Sequence, residues 1–283
     1  VAELAGEWPR LAVLGSPIEH SRSPQLHRAA YRVLGLEWSY DRVEVDDAGL
    51  AGFLQGLGGE WRGLSLTMPL KRRVAELVPE VDEVARRTRQ GNTILLEHGR
   101  AVKAFNTDVH GIVQAFADAG VTRAAHGVVL GGGATAESAV AALGELGASA
   151  TVAVRDPAKA AAVFGGDVAI RPLDRIEHAV READVVVSTI PNGAEFALAL
   201  PERVGGTLLD VAYHPWPSAL ASRWADAGGH VVSGLEMLLH QAVHQIRIFV
   251  AGDPSVPLPR ELEVIAAMRA AMAGDAGSPD AVE

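Results

Sequence analysis

Short apolar runs and helical spacings alternate along almost the whole chain. Residues 11–14 form the first apolar run and read as a strand. From Leu26, the apolar residues Ala29, Ala30, Val33 and Leu34 fall at helical spacing, with Ser23 expected as N-cap and Pro24 as the first helical residue. Residues 40–45 read as a second strand and 49–57 as a short helix. In residues 63–67, Leu64 and Leu66 alternate with Ser65 and Thr67, the period of a strand with one buried face, and Pro69 ends it. Helices are expected through Val74, Leu77 and Val78 and over 81–89. Residues 93–96 and 101–105 flank His98-Gly99, a hairpin turn signature.

From Gly127 the pattern changes. Val128-Val129-Leu130 reads as a fully buried strand, followed by a glycine turn and a helix bearing Ala136, Ala139, Val140 and Leu143 on one face. Further apolar runs at 152–154, 168–170, 185–187, 208–210 and 231–232 alternate with helical segments. That cadence predicts a doubly wound parallel sheet. A long amphipathic helix is expected over 234–250 and a last one over 259–273; the small, acidic tail after Gly274 reads as disordered.

Length and composition narrow the reading. The 283 residues, 48% of them hydrophobic, suit two buried cores better than one. The formal net charge of −10 argues against nucleic acid or an anionic membrane as the main partner. The chain contains 0 cysteines, which excludes disulfides and thiolate chemistry. No apolar run reaches transmembrane length, and the mixed, acidic beginning does not read as a signal peptide. A cytoplasmic enzyme is expected.

Three places carry candidate chemistry in the first half of the chain. Lys71 lies just past the end of the 63–67 strand, beside Ser65 and Thr67, where a rigid support can aim an ammonium into a cleft. The loop Ser16-Pro17-Ile18-Glu19-His20-Ser21-Arg22-Ser23-Pro24 brings hydroxyls to a helix start, a reasonable carboxylate or phosphate site. Asn92 enters the hairpin and Asp108 follows it, so both fall at neighbouring strand ends; they are also ordinary turn residues. Further on, Gly131-Gly132-Gly133-Ala134-Thr135-Ala136 stands between strand and helix in the order a dinucleotide site needs. There Gly131 makes the turn, Gly133 admits a pyrophosphate to the backbone, and Ala136 lets helix and strand pack closely. His240 and His244 have metal-ligand spacing without an evident third ligand, so they read as exposed or capped histidines and no metal is expected.

These stretches, in this order, resemble the shikimate dehydrogenase family over nearly the whole chain outside the tail. The 16–24 loop is similar to the family's substrate-carboxylate loop, and residues 63–71 to its catalytic strand and lysine. Asn92-Thr93 and Asn106-Thr107-Asp108 resemble its two downstream substrate motifs, Gly131 to Ala136 its cofactor turn, and Gly234-Leu235-Glu236-Met237-Leu238 with Gln241-Ala242 its C-terminal helix. The resemblance implies an α/β fold: an N-terminal α/β substrate domain over 1–108, a Rossmann domain over 109–233, and C-terminal helices over 234–273 returning to the first domain, with 274–283 as tail. It implies Lys71 as proton donor with Asp108 orienting it. Ser21, Ser23 and Tyr213 would hold the substrate carboxylate, and Ser65, Thr67, Asn92 and Gln241 the ring. Gly131, Gly132, Gly133, Ala134, Thr135, Arg155, Asp156, Lys159, Thr189, Val211 and Gly234 would line the cofactor.

The sequence departs from the family pattern in places. Ser65 stands where the family commonly has Asn, the phosphate turn has an unusual glycine–alanine order, and Val154-Arg155-Asp156 replaces the frequent Asn-Arg-Thr. The implied activity is reversible reduction of 3-dehydroshikimate to shikimate with NADP. NAD stays open through Asp156, and with it an NAD-linked quinate/shikimate dehydrogenase or an aminoshikimate paralogue. A dinucleotide-binding sensor would have no use for Lys71 with Asp108. The expected partner is a small-molecule substrate, and the sequence leaves a homodimer open.

Overall fold

The computed structural model describes residues 9–274 except 167, 195–197 and 199; the tail expected beyond Gly274 lies outside the described residues. Its internal contacts divide the chain into two units, Val1–Thr107 with Gln241–Glu283, and Asp108–His240.

The first unit opens with β1 (Arg10–Gly15), α1 (Ser23–Leu34), β2 (Ser39–Glu44), α2 (Leu50–Gln55) and β3 (Trp61–Leu66). It continues with α3 (Val74–Leu77), β4 (Glu80–Val81), α4 (Glu83–Thr88), β5 (Thr93–Glu97) and β6 (Arg100–Phe105). The sheet order is β2-β1-β3-β5-β6-β4. β1 lies parallel to β2 and β3, whereas β5 is antiparallel to both β3 and β6. The β5–β6 hairpin turns at His98 (φ 51°) and Gly99 (φ 76°), the paired positive φ values of a tight primed turn. The two-residue β4 was not expected from the sequence.

Two local expectations need correction. Ser23 does not cap α1; it is the first helical residue, and its N–H points to the Ser21 hydroxyl at 3.4 Å. Strand β3 is buried on both faces rather than one, with Gly63, Leu64, Ser65 and Leu66 all buried. Leu64 and Leu66 join Leu14, Leu50, Leu70, Val74 and Ile94 in one core cluster.

The second unit contains α5 (Asp108–Asp118), which the sequence reading missed, then β7 (His126–Leu130), α6 (Ala134–Glu145), β8 (Ser149–Val154) and α7 (Pro157–Phe164). β9 (Ala169–Pro172), a 3₁₀ turn at Leu173–Arg175, α8 (Glu177–Glu182), β10 (Val185–Ser188), β11 (Thr207–Asp210), α9 (Ala219–Asp226) and β12 (His230–Ser233) follow. The strands pair in the order β12-β11-β10-β7-β8-β9, and every pairing is parallel. The order reverses between β7 and β10, the switch point at which doubly wound sheets bind ligands.

Helix α10 (Gly234–Ala251) begins in the second unit, and its last eleven residues belong to the first. Those residues cover the second face of β3. A Cβ on Gly63 would fall 2.3 Å from the Phe249 ring, so glycine there lets the helix approach the strand. The last helix, α11 (Glu261–Gly274), packs against α1. Among the described residues no helix is long and apolar enough to cross a membrane.

Candidate active site

The first sheet gathers its candidate residues at one edge because of its register. Leu14 pairs with Leu66, and Ser65 pairs with Thr93, so β1 and β3 end where β5 begins. The backbone carries this alignment past the strands. The Thr67 N–H donates to Leu14 O at 2.9 Å, Ser16 N–H to Met68 O at 3.0 Å, and Leu66 N–H to Asn92 O at 2.8 Å. Asn92 N–H in turn donates to Phe105 O at 2.9 Å. Thr67 and Lys71 leave β3 here. The Met68–Pro69 peptide is cis, Leu70 N–H closes a turn on Thr67 O at 2.8 Å, and Gly91 N–H donates to Lys71 O at 2.8 Å. Lys71 is thus half-buried on a backbone tied to the segment that carries Asn92. Leu14 also feeds the loop bearing Ser21, whose carbonyl accepts from Arg42 Nε at 2.7 Å.

Asn92 is 2% exposed and its amide is saturated within the protein. Its Oδ1 accepts from Thr107 N–H and the Thr93 hydroxyl, each at 2.9 Å. Its Nδ2 donates to Thr107 Oγ1 at 2.9 Å and to Gln241 Oε1 at 3.1 Å. A carboxamide has two donor hydrogens, so both are engaged.

Behind this edge lies a buried polar layer that the sequence did not reveal. Ser65, expected to face substrate, is 3% exposed. Its hydroxyl accepts from Tyr40 Oη at 2.6 Å and donates to Gln245 Oε1 at 2.9 Å. Gln245 Nε2 donates to Asn92 O at 3.2 Å and to Thr93 Oγ1 at 3.1 Å. Ser23 is also hydrogen-bonded to the Tyr40 hydroxyl, whose pKa is pushed up by burial despite the opposing bonds to Ser65 and Ser23. His27 stacks on Tyr40 with 3.8 Å between centroids and bonds to Tyr31 Oη at 3.1 Å and Gln245 Oε1 at 3.3 Å. Because Oε1 can only accept, Nε2 of His27 carries the proton and Nδ1 accepts from Tyr31. Burial drives the His27 pKa down to about 3.

In the second unit the register is equally direct. Leu130, Ser188, Asp210 and Ser233 are cross-strand partners in one row. The next residue of each strand therefore lines the carboxyl edge: Gly131, Thr189, Val211 and Gly234. Gly131 has φ +111°, and a Cβ there would meet Thr189 Oγ1 at 2.4 Å. Thr189 Oγ1 donates to Leu130 O at 3.0 Å, holding the turn in place. A Cβ on Gly234 would fall 2.2 Å from Val211 O. The space beside Gly133 is open, with no atom within 4 Å of where a Cβ would lie. Gly133 is the N-cap of α6 and no side chain caps that helix, so Ala134 and Thr135 open a helix N-terminus toward the glycine turn. This edge fits a dinucleotide pyrophosphate, which such a helix start attracts. Arg155, Asp156 and Lys159 follow β8, the neighbouring strand, and are exposed.

Asp108 begins α5 and is 3% exposed. Tyr213 lies in the loop after β11, half-buried. Asp210 anchors that loop's start. Burial raises its carboxyl pKa, and it accepts from the Ser218 hydroxyl and from Ala212 N–H at 3.3 Å. Asn192 Nδ2 donates to His214 O at 2.9 Å and steadies the same loop. Asp108 and Tyr213 belong to the second unit, whereas Ser21, Ser23, Ser65, Thr67, Lys71, Asn92 and Gln241 belong to the first. Of the two readings of the histidine pair, exposed or capped, His240 takes the second. His240 is not exposed; it is 6% accessible, with Nε2 2.9 Å from Asp118 Oδ2.

The family model for the shikimate dehydrogenase substrate binding domain matches residues 13–94. A shikimate dehydrogenase (NADP(+)) of Rubrobacter xylanophilus is 34% identical over 97% of this chain and 99% of its own length. The crystal structure of Mycobacterium tuberculosis shikimate dehydrogenase superposes with TM-score 0.78 at 37% identity, covering 94% of this chain and 99% of that one. A shikimate 5-dehydrogenase of Thermus thermophilus, solved in complex with NADP(H) and shikimate, gives TM-score 0.79 at 31% identity, covering 93% and 99%. With relatives above 30% identity aligned over nearly their full length, this chain belongs to the shikimate dehydrogenase family.

Proposed function

We propose that the chain is an NADP-dependent shikimate dehydrogenase that interconverts shikimate and 3-dehydroshikimate. The observation that carries this reading is full-length kinship to enzymes of that activity, one of them solved in complex with NADP(H) and shikimate. NADP, when bound, supplies or accepts the hydride. Gly131, Gly132, Gly133, Ala134 and Thr135 hold its pyrophosphate, Thr189, Val211 and Gly234 line the sheet edge beside it, and Arg155 with Lys159 meets the 2′-phosphate.

The chain's own residues divide the remaining work. Ser21, Ser23 and Tyr213 hold the substrate carboxylate. Thr67, Asn92 and Gln241 bind the ring hydroxyls. Lys71 gives a proton to the substrate's carbonyl oxygen as it becomes a hydroxyl, and takes it back in the reverse direction. Asp108 orients Lys71 and the reacting hydroxyl.

Initial rates with shikimate and quinate, each against NADP and NAD, test the proposal. The highest kcat/KM is expected for shikimate with NADP. A preference for quinate, or for NAD, places the chain with the quinate/shikimate enzymes instead.

A further inference from the structure

We infer that Gln245 is a positioning residue that sets the two ends of the substrate face at once; the inference rests on the proposed shikimate activity. Gln245 sits four residues beyond Gln241 on α10, one helical turn away and on the same face. It is 1% exposed, and both ends of its amide are bonded within the protein. Its two ends point to different parts of the site.

The Nε2 end donates to Asn92 O at 3.2 Å and Thr93 Oγ1 at 3.1 Å. Thr93 Oγ1 passes its own proton to Asn92 Oδ1 at 2.9 Å, which fixes the rotamer of the amide assigned to a ring hydroxyl. The Oε1 end accepts from Ser65 Oγ at 2.9 Å, Ser65 accepts from Tyr40 Oη at 2.6 Å, and Tyr40 is bonded to Ser23. A single hydrogen-bond line thus runs from Ser23, assigned to the carboxylate, to Asn92, assigned to the ring. Tyr40 gives its one proton to Ser65, so Ser23 is the donor to Tyr40 and its hydroxyl reaches a carboxylate only by giving up that bond. His27 adds a second donor to Oε1 and keeps the Gln245 amide from turning over. Ser65 therefore serves the line rather than the substrate: its one proton goes to Gln245 and its Tyr40 bond takes one lone pair.

The test compares Gln245→Met, which keeps the length and removes every hydrogen bond, with Tyr40→Phe, which keeps the ring stacked on His27 and removes the link to Ser23. Val264→Ala, a cavity variant in α11 of the same unit, controls for lost stability. Kinetics are read for shikimate and NADP separately, with thermal melts on each variant. Gln245→Met is expected to raise KM for shikimate about tenfold or more, with KM for NADP within about twofold and kcat within about threefold, the signature of lost uniform binding. Tyr40→Phe is expected to move KM for shikimate in the same direction by less. Val264→Ala is expected to lower the melting temperature with KM unchanged.

If Gln245→Met melts cooperatively and keeps the wild-type KM for shikimate, the inference is wrong and the layer is only structural. If Gln245→Met does not fold, Tyr40→Phe decides alone: an unchanged KM for shikimate overturns the inference. Failure of the wild-type chain to oxidise shikimate overturns the proposed function and the inference together, an outcome distinct from the other two.

Discussion

Asn92 Nδ2 donates to Gln241 Oε1 across 3.1 Å, joining the start of β5 to the part of α10 that covers the first sheet. With both amide protons engaged, a substrate hydroxyl would take one from Asn92 only by displacing Thr107 or Gln241. In the proposed site Asn92 and Gln241 would then act as one recognition pair. Gln241→Ala is expected to raise KM for shikimate about tenfold, equivalent to roughly 1.4 kcal/mol, and to change kcat less. Steady-state kinetics check this; an unchanged KM removes Gln241 from the substrate face.

Lys71 is the candidate proton donor. Lys71→Ala is expected to lower kcat by about 10²–10⁴-fold with a smaller change in KM, the usual worth of a positioned acid or base. A folded Lys71→Ala variant with near wild-type kcat would refute that role.

Gly15 shapes the same edge without carrying chemistry. A Cβ there would lie 2.4 Å from Thr67 Cγ2 and 2.9 Å from Met68 O. The carbonyl belongs to a backbone already bonded to Ser16 N–H, so it yields little. Gly15→Ala is expected to cost about 1–3 kcal/mol, as overpacking does, and to raise KM for shikimate by displacing Thr67. Denaturant melts and kinetics read the two effects separately. Full stability with unchanged KM would mean the edge is softer than its hydrogen bonds indicate.

His27 couples the buried layer to pH. Its pKa is about 3 in the folded chain, lowered by burial, against about 6.5 for an unperturbed histidine. Between those values the unfolded chain binds the extra proton, so this contribution to stability is complete above about pH 6.5 and is lost as pH falls toward 3. The slope is at most about 1.4 kcal/mol per pH unit for one proton. Melts of wild type and His27→Gln from pH 7 to pH 4 are expected to converge as pH falls. Parallel pH profiles would show that His27 titrates alike in both states.

What the sequence revealed, and what it hid, follows from the range of each interaction. The His98-Gly99 turn and the glycine turn at Gly131 were legible because both depend on positive φ values that specific residues announce. β4 was not, since Glu80-Val81 is too short to show a period. Ser65 and Thr67 read as a solvent face because alternation cannot tell water from a covering helix, and α10 lies some 180 residues downstream of Ser65. Gln245 gave one weak signal: a polar residue among Ala242, Val243, Ile246 and Phe249 on an otherwise buried helix. Its partners come from α1, β3 and the start of β5, a convergence that only the fold brings about.

The choice of dinucleotide turns on Arg155 and Asp156. A carboxylate at position 156 either reads the ribose hydroxyls of NAD or caps the helix that follows. In the structure its Oδ1 accepts from Lys159 N–H at 3.1 Å as the N-cap of α7, with Pro157 opening that helix. A carboxylate engaged this way is drawn toward the helix start, and its removal is expected to cost about 1 kcal/mol of stability. Arg155, exposed beside it, has a planar fork suited to a phosphate, and Lys159 adds a second cation one turn on. Arg155→Ala is therefore expected to raise KM for NADP about tenfold or more, and to leave NAD kinetics much less changed. Asp156→Asn retains a capping oxygen while removing the charge that opposes a 2′-phosphate. It is expected to keep stability near wild type and to improve NADP use modestly. Kinetics of both variants with both dinucleotides check this. Should Asp156→Asn instead abolish activity with NAD while wild type prefers NAD, Asp156 reads the ribose, and the assignment of the 2′-phosphate to Arg155 falls.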